Sequence, residues 1–171
     1  RIKKQFPDLA YVIVGNQRGR YFHEMQKNII DLGIADDVRF YQDLTDEDLL
    51  ALYDHAVCFL LTPARMDMYV EGFGLVYREA GARKLAVIGS KDCGAEDAVQ
   101  DGVTGILCPQ NDISAVADAL HRLLEDAALR KRMGEAGRKL AQSWTWSNVA
   151  EQYKAIYAEV LYLNTHKHGM A

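Results

Sequence analysis

Proline and cysteine are both scarce in this chain, three of each among 171 residues. Three prolines beside 13 glycines exclude a collagen-like or proline-rich linker protein. The cysteines, Cys58, Cys93 and Cys108, are odd in number and widely spaced. They make no disulfide framework and have no paired metal-ligand spacing, so they read as reduced thiols of a cytoplasmic protein with no metal. Long apolar runs are absent as well. Ala56 to Leu61, as long as any, has strand length, far short of the roughly 20 residues that span a bilayer. The opening residues Arg1 to Pro7 lack the charged, apolar, then small pattern of a signal peptide and read as the end of a helix. Basic charge is not in excess: a net charge of −4 leaves no footprint for nucleic acid.

What is present suits an ordinary globular domain. Hydrophobic residues make up 49% and charged residues 26%, enough for a core without staples. Four short apolar runs read as buried strands: Ala10 to Val14, Val38 to Tyr41, Ala56 to Leu61, and Leu85 to Ile88, with a weaker fifth at Thr104 to Cys108. Most are continuous rather than alternating, as when helices cover both faces of a parallel sheet. Helical spacing lies between them, from Tyr21 to Leu32 and from Asp46 to His55, the latter capped by Thr45. This alternation predicts an α/β fold with right-handed crossovers. After Pro109 the pattern is helical only: Ile113 to Leu124, then Leu129 to Leu140, then a helix capped by Thr145 with Trp146, Tyr153, Tyr157 and Val160 on one side. Tyr153, Tyr157 and Tyr162 read as packing aromatics. The tail from Asn164 to Ala171 has little to bury, and His166 and His168 in it read as a frayed end rather than a metal site.

The stretch Glu71-Gly72-Phe73-Gly74-Leu75-Val76-Tyr77-Arg78-Glu79-Ala80 follows the third strand through the loop Thr62 to Val70. Ligands of parallel sheets bind outside the carboxyl ends of strands, so a site belongs at this junction. Glycines on both sides of Phe73 let a ligand approach the backbone. Free amides at the helix start, at Phe73, Gly74 and Leu75, favour an anion such as a diphosphate. Carboxylates accept only, and each takes two hydroxyls of a diol, so Glu71 and Glu79 suit a sugar on either side of a phosphate. An isolated string of this kind has an ordinary explanation too, with Glu71 balancing the helix dipole and Glu79 solvated.

Glu71 and Glu79, with seven residues between them, resemble the E-x7-E motif of retaining glycosyltransferases of the GT-B fold, in glycosyltransferase family 4, the group 1 transferases. Other pieces stand in the family's order. They are Val14-Gly15-Asn16, Val38 to Tyr41, Leu49 to Ala56, the turn Ala98 to Leu107, Arg132-Met133-Gly134, and Ser143 to Trp146. The resemblance implies a Rossmann-like parallel sheet flanked by helices, one half of a GT-B fold with a helical C-terminal end. It implies a nucleotide-sugar-binding domain over 1–163, lacking its first strand and most of its first helix, and a tail over 164–171. Glu79 would hold the ribose diol. Glu71, as the catalytic carboxylate, would hold hydroxyls of the transferred sugar. Gly72, Phe73, Gly74 and Leu75 would meet the sugar and distal phosphate, Gly15 would leave room for diphosphate or ribose, and Gln42 would lie near the base. The implied donor is a UDP- or GDP-sugar, with no cofactor and no metal, and catalysis would be electrostatic. The implied partner is the N-terminal acceptor half of the same enzyme, so this part would be inactive alone. Nucleic acid and a transmembrane segment are not expected, although the full-length enzyme would suit the membrane periphery.

Three departures stand out. Lys84-Leu85-Ala86 takes the place of the family's Gly-x-Pro, and Cys93 to Asp97 that of its G-G-x-P-E turn. The family's phosphate cations have no counterpart here. Arg18, Arg20, Arg65 and Lys91 read as surface charge, and His23, His55, His121 and Ser90 as ordinary residues. The alternative function is a non-catalytic nucleotide-binding or interaction module. A dinucleotide oxidoreductase is disfavoured, because Gly15-Asn16-Gln17-Arg18-Gly19 has the wrong spacing for a Gly-x-Gly-x-x-Gly turn.

Overall fold

A computed structural model of the chain describes residues 2–65 and 71–167, with side chains as far as Tyr162. It divides into two compact units, Arg1–Ala56 and Val57–Ala171.

The first unit holds α1 (Ile2–Gln5), β1 (Tyr11–Val14), α2 (Arg20–Asp31), β2 (Val38–Tyr41) and α3 (Asp46–His55). β1 and β2 pair in parallel, Tyr11 opposite Val38 and Val14 opposite Tyr41. Phe22 of α2 is buried with its ring edge-on to Phe40, centroids 5.1 Å apart. α2 closes with Gly33 at φ 66, whose N–H reaches Ile30 O while the N–H of Ile34 reaches Ile29 O. Those two bonds are the left-handed helix stop that glycine favours. α3 starts where expected, the Thr45 hydroxyl accepting from the Asp48 amide at 3.1 Å.

The second unit holds β3 (Phe59–Leu60), α4 (Leu75–Ala82), β4 (Val87–Ser90), α5 (Ala95–Ala98), β5 (Gly105–Cys108), α6 (Ile113–Glu125), α7 (Ala127–Ser143) and α8 (Trp146–Lys167). The sheet is parallel in the order β3-β4-β5, with the central β4 wholly buried. Ala86, Ile88 and Cys108 pack against Ala119 and Leu123 of α6 and Leu129 and Met133 of α7. Asp112 and Asp126 cap α6 and α7 through the amides of Ala115 and Leu129. α4 crosses α7 at very short range: Gly81 faces Gly137, and Gly134 lies under the Lys84 carbonyl.

Several expectations need correction here. β4 begins at Val87, not Leu85, because α4 ends in the same stop as α2. Lys84 N–H bonds Gly81 O at 2.8 Å and Leu85 N–H bonds Ala80 O at 3.0 Å, with Lys84 at φ 62. A lysine thus fills the left-handed position that the family pattern gives to glycine. β3 is shorter than its apolar run, since only Phe59 and Leu60 pair with β4. α8 is capped at Thr145, whose hydroxyl accepts from Asn148 N–H at 3.2 Å, but it continues through Lys167, past Asn164. Its aromatics do not pack as expected: Tyr153, Tyr157 and Tyr162 are exposed, as is Trp146 at 85%. The histidine pair of the tail lies outside the residues whose side chains are described. Among the described residues no helix is long and apolar enough to cross a membrane.

The carboxyl edge of the second sheet is tied by one side chain. Gln110 accepts from the Arg65 amide at 2.7 Å, and its Nε2 donates to the carbonyls of Lys91 at 2.8 Å and Asp92 at 3.1 Å.

Candidate functional site

Met66–Val70 of the loop after β3 lie outside the described residues. The turn that follows, Glu71 to Gly74, leads directly into α4. Gly74 caps this helix in the left-handed conformation, φ 73 and ψ 58, and a Cβ there would sit 2.5 Å from the Tyr77 ring. The left-handed conformation favours glycine, and the close approach of the Tyr77 ring leaves no room for a side chain unless that ring moves. The Tyr77 amide bonds Gly74 O at 3.0 Å. Leu75 and Val76, the first two helical residues, have amides with no partner inside the helix, where the helix dipole favours an anion. The helix therefore starts at Leu75, and Phe73 belongs to the turn before it.

Helical spacing sorts the side chains of α4. Tyr77, Ala80 and Gly81 are buried, whereas Leu75 and Glu79, one turn apart, are exposed on a common face. Tyr77 anchors the buried side: its hydroxyl donates to Leu61 O at 2.7 Å and its ring meets Phe59 edge-on at 5.7 Å. Burial pushes this phenol well above its ordinary range, helped by the nearby charges of Cys93 and Glu71. Glu71 is half-buried at the foot of the turn, and its carbonyl accepts from Gly94 N–H at 2.9 Å. Gly94 lies so close that a Cβ would fall 2.1 Å from Gly72 O. Gly94 therefore holds the turn in place, a role that a lone glycine in Cys93 to Asp97 does not announce.

The structure thus brings Glu71, Gly72, Phe73, Gly74, Leu75 and Glu79 together around one helix start. Gly15 and Gln42 lie in the first unit and are near each other there. Gly15 N–H bonds Tyr41 O at 2.9 Å, and the Gln17 amide donates to Gln42 Oε1 at 3.3 Å. Behind α4, a cavity of about 10 Å³ bounded by Tyr77, Arg78, Thr104 and Leu140 has room for no more than a water. The start of α4 offers amides with no partner inside the helix, suited to an anion, and two carboxylates that accept hydroxyls.

Residues 1–140 match the family described as Glycosyl transferases group 1. The chain is 36% identical over 149 residues to the GDP-mannose-dependent alpha-(1-6)-phosphatidylinositol monomannoside mannosyltransferase of Mycolicibacterium smegmatis, covering 85% of this chain and 38% of that protein. It is 37% identical over 162 residues to the D-inositol 3-phosphate glycosyltransferase of Corynebacterium diphtheriae, covering 92% of this chain and 36% of that one. Sucrose-phosphate synthase from Thermosynechococcus elongatus superposes with a TM-score of 0.72 at 29% identity, over 89% of this chain and 38% of its own. Parallel sheets flanked by helices match these GT-B neighbours. The chain spans less than two fifths of the length of each of these three proteins.

Proposed function

The chain belongs to the group 1 glycosyl transferases, and from that premise we propose that residues 1–163 form the donor-binding part of a retaining enzyme of glycosyltransferase family 4. The observation that carries this reading is the start of α4. Its first amides, which have no partner inside the helix, follow Glu71 of the turn and precede Glu79, one turn up on an exposed helix face. The Leu75 and Val76 amides take the distal phosphate, with Phe73 and Gly74 beside it. Glu79 takes the ribose diol, and Glu71 takes hydroxyls of the transferred hexosyl group. As charge develops on the leaving diphosphate, the oriented amides stabilise it without reorganising, and no covalent or metal step is required. The roles of Gly15 near ribose or diphosphate and of Gln42 near the base rest on the sequence resemblance. The donor is a UDP- or GDP-sugar; the M. smegmatis relative is named for GDP-mannose. The acceptor side lies in the remaining length that the relatives possess, so this part binds donor without turning it over. A cytoplasmic location goes with the same resemblance.

Calorimetry with uridine and guanosine diphosphates tests the reading. Glu79→Ala removes a charged hydrogen bond worth about 1.5–3 kcal/mol, so affinity should fall about 10- to 150-fold. Equal affinity in the variant and the parent chain removes Glu79 from the site.

A further inference from the structure

Arg78 immediately precedes Glu79 in sequence but takes a different environment. Its guanidinium carbon lies 4.8 Å from the centre of the Trp144 ring and 5.8 Å from that of Phe73. The two rings also meet each other, centroids 5.1 Å apart and planes tilted by 30°. Nη2 donates to Asp97 O at 2.8 Å. Nε and Nη1 are buried with no hydrogen-bond partner among the described residues. A guanidinium with two nitrogens unpartnered among the described residues is kept in place by something else, and the Phe73 and Trp144 rings lie beside it. Phe73 belongs to the turn with the free amides. Trp144 is the last cap of α7, next to Thr145, which caps α8. Three side chains therefore connect the turn, α4 and the junction of α7 with α8.

We propose that Arg78 is a positioning residue: stacked on Phe73 and Trp144, it holds the turn in the shape that receives a nucleoside diphosphate, and occupancy of the turn is felt at Trp144. This deepens the donor reading above and rests on it. Lysine cannot substitute fully, since a compact ammonium on a flexible stem offers no plane to stack. Methionine keeps the reach and loses both plane and charge.

The two tryptophans make the coupling measurable. Trp146 is 85% exposed, so Trp146→Phe leaves Trp144 as the one emitter. In that background, uridine or guanosine diphosphate should change Trp144 emission with the midpoint found by calorimetry. Adding Arg78→Met should abolish the emission change and weaken binding about three- to tenfold, the span of a partly exposed cation–π contact. Arg78→Lys should restore part of the affinity. A second arm needs no ligand. The Gly94 and Tyr77 amides bond the turn at Glu71 O and Gly74 O, and their hydrogen exchange should accelerate about tenfold in Arg78→Met, while the amides of β4 keep their protection. The proposal is overturned if exchange at Gly94 and Tyr77 is unchanged, or if calorimetry records binding while Trp144 emission stays flat. No calorimetric binding to the parent chain overturns the donor reading and the ligand coupling with it, whereas unchanged exchange removes Arg78 alone.

Discussion

Gly134→Ala sets two opposing effects against each other at the crossing of α4 and α7. Alanine is the better helix former by about 0.8–1.0 kcal/mol, so in an open helix the change would stabilise. At this position the new Cβ would stand 1.9 Å from Lys84 O and 2.6 Å from its carbonyl carbon. Ordinary contact needs more than 1 Å of extra room. The Lys84 backbone cannot give easily, because its own N–H and that of Leu85 are bonded to Gly81 O and Ala80 O. Overpacking of this kind costs about 1–3 kcal/mol, here toward the upper end, which leaves a net loss of roughly 1–2 kcal/mol. Gly137→Ala is the control. Its Cβ would meet Gly81 Cα at 3.2 Å, with Gly81 O and Leu85 O next at 3.8 Å, an ordinary contact distance. A shift of a few tenths of an ångström relieves that, so the change should stay within about 0.5 kcal/mol of neutral. Both tryptophans lie in the unit Val57–Ala171, so urea unfolding followed by tryptophan fluorescence reads this unit directly. With m of about 1–3 kcal/mol/M, Gly134→Ala should lower the midpoint by roughly 0.3–2 M at constant m. A midpoint at or above wild type, or an equal loss in Gly137→Ala, would refute the reasoning.

Gly94→Ala should push the turn at Gly72 away, given the 2.1 Å approach, and reduce nucleoside diphosphate binding at least as much as Glu79→Ala; calorimetry beside a circular dichroism spectrum separates this from unfolding, and full affinity would contradict it. Burial pushes the Cys58 thiol up to about 11, against a smaller opposing pull from the Arg130 charge. The folded state therefore holds this proton longer than the unfolded one, whose value lies near 9. Its contribution is complete below about pH 9 and is lost as pH rises toward 11, about 2–3 kcal/mol in all. Urea midpoints measured across that window should fall less steeply in Cys58→Ala, and identical slopes would count against the burial argument.

Local codes were legible. Thr45, Thr145 and the apolar run Val38 to Tyr41 each specify an element through neighbours in sequence, and α3 and β2 appear with the expected bounds. The placement of Glu71 in a turn and of Glu79 in the helix that follows is local in the same way. What failed was long-range. Lys84 gives no sign of a left-handed helix stop, so the apolar run alone starts β4 two residues early. Gly94 declares its contact with Gly72 only once the chain is folded. The stack of Arg78 on Trp144 joins residues whose local patterns say nothing of each other. The apolar side of α8 has the periodicity of a packed helix, and periodicity cannot tell whether anything covers it.

The amide of Gln110 has a mechanical consequence for the carboxyl edge of the sheet. One rigid planar group is bonded to the chain leaving β3, at Arg65, and to the chain leaving β4, at Lys91 and Asp92. The two exits are thereby geared together: a displacement of either drags the other or breaks a bond worth about 1 kcal/mol. Load applied at one strand end is therefore passed to its neighbour through that single amide.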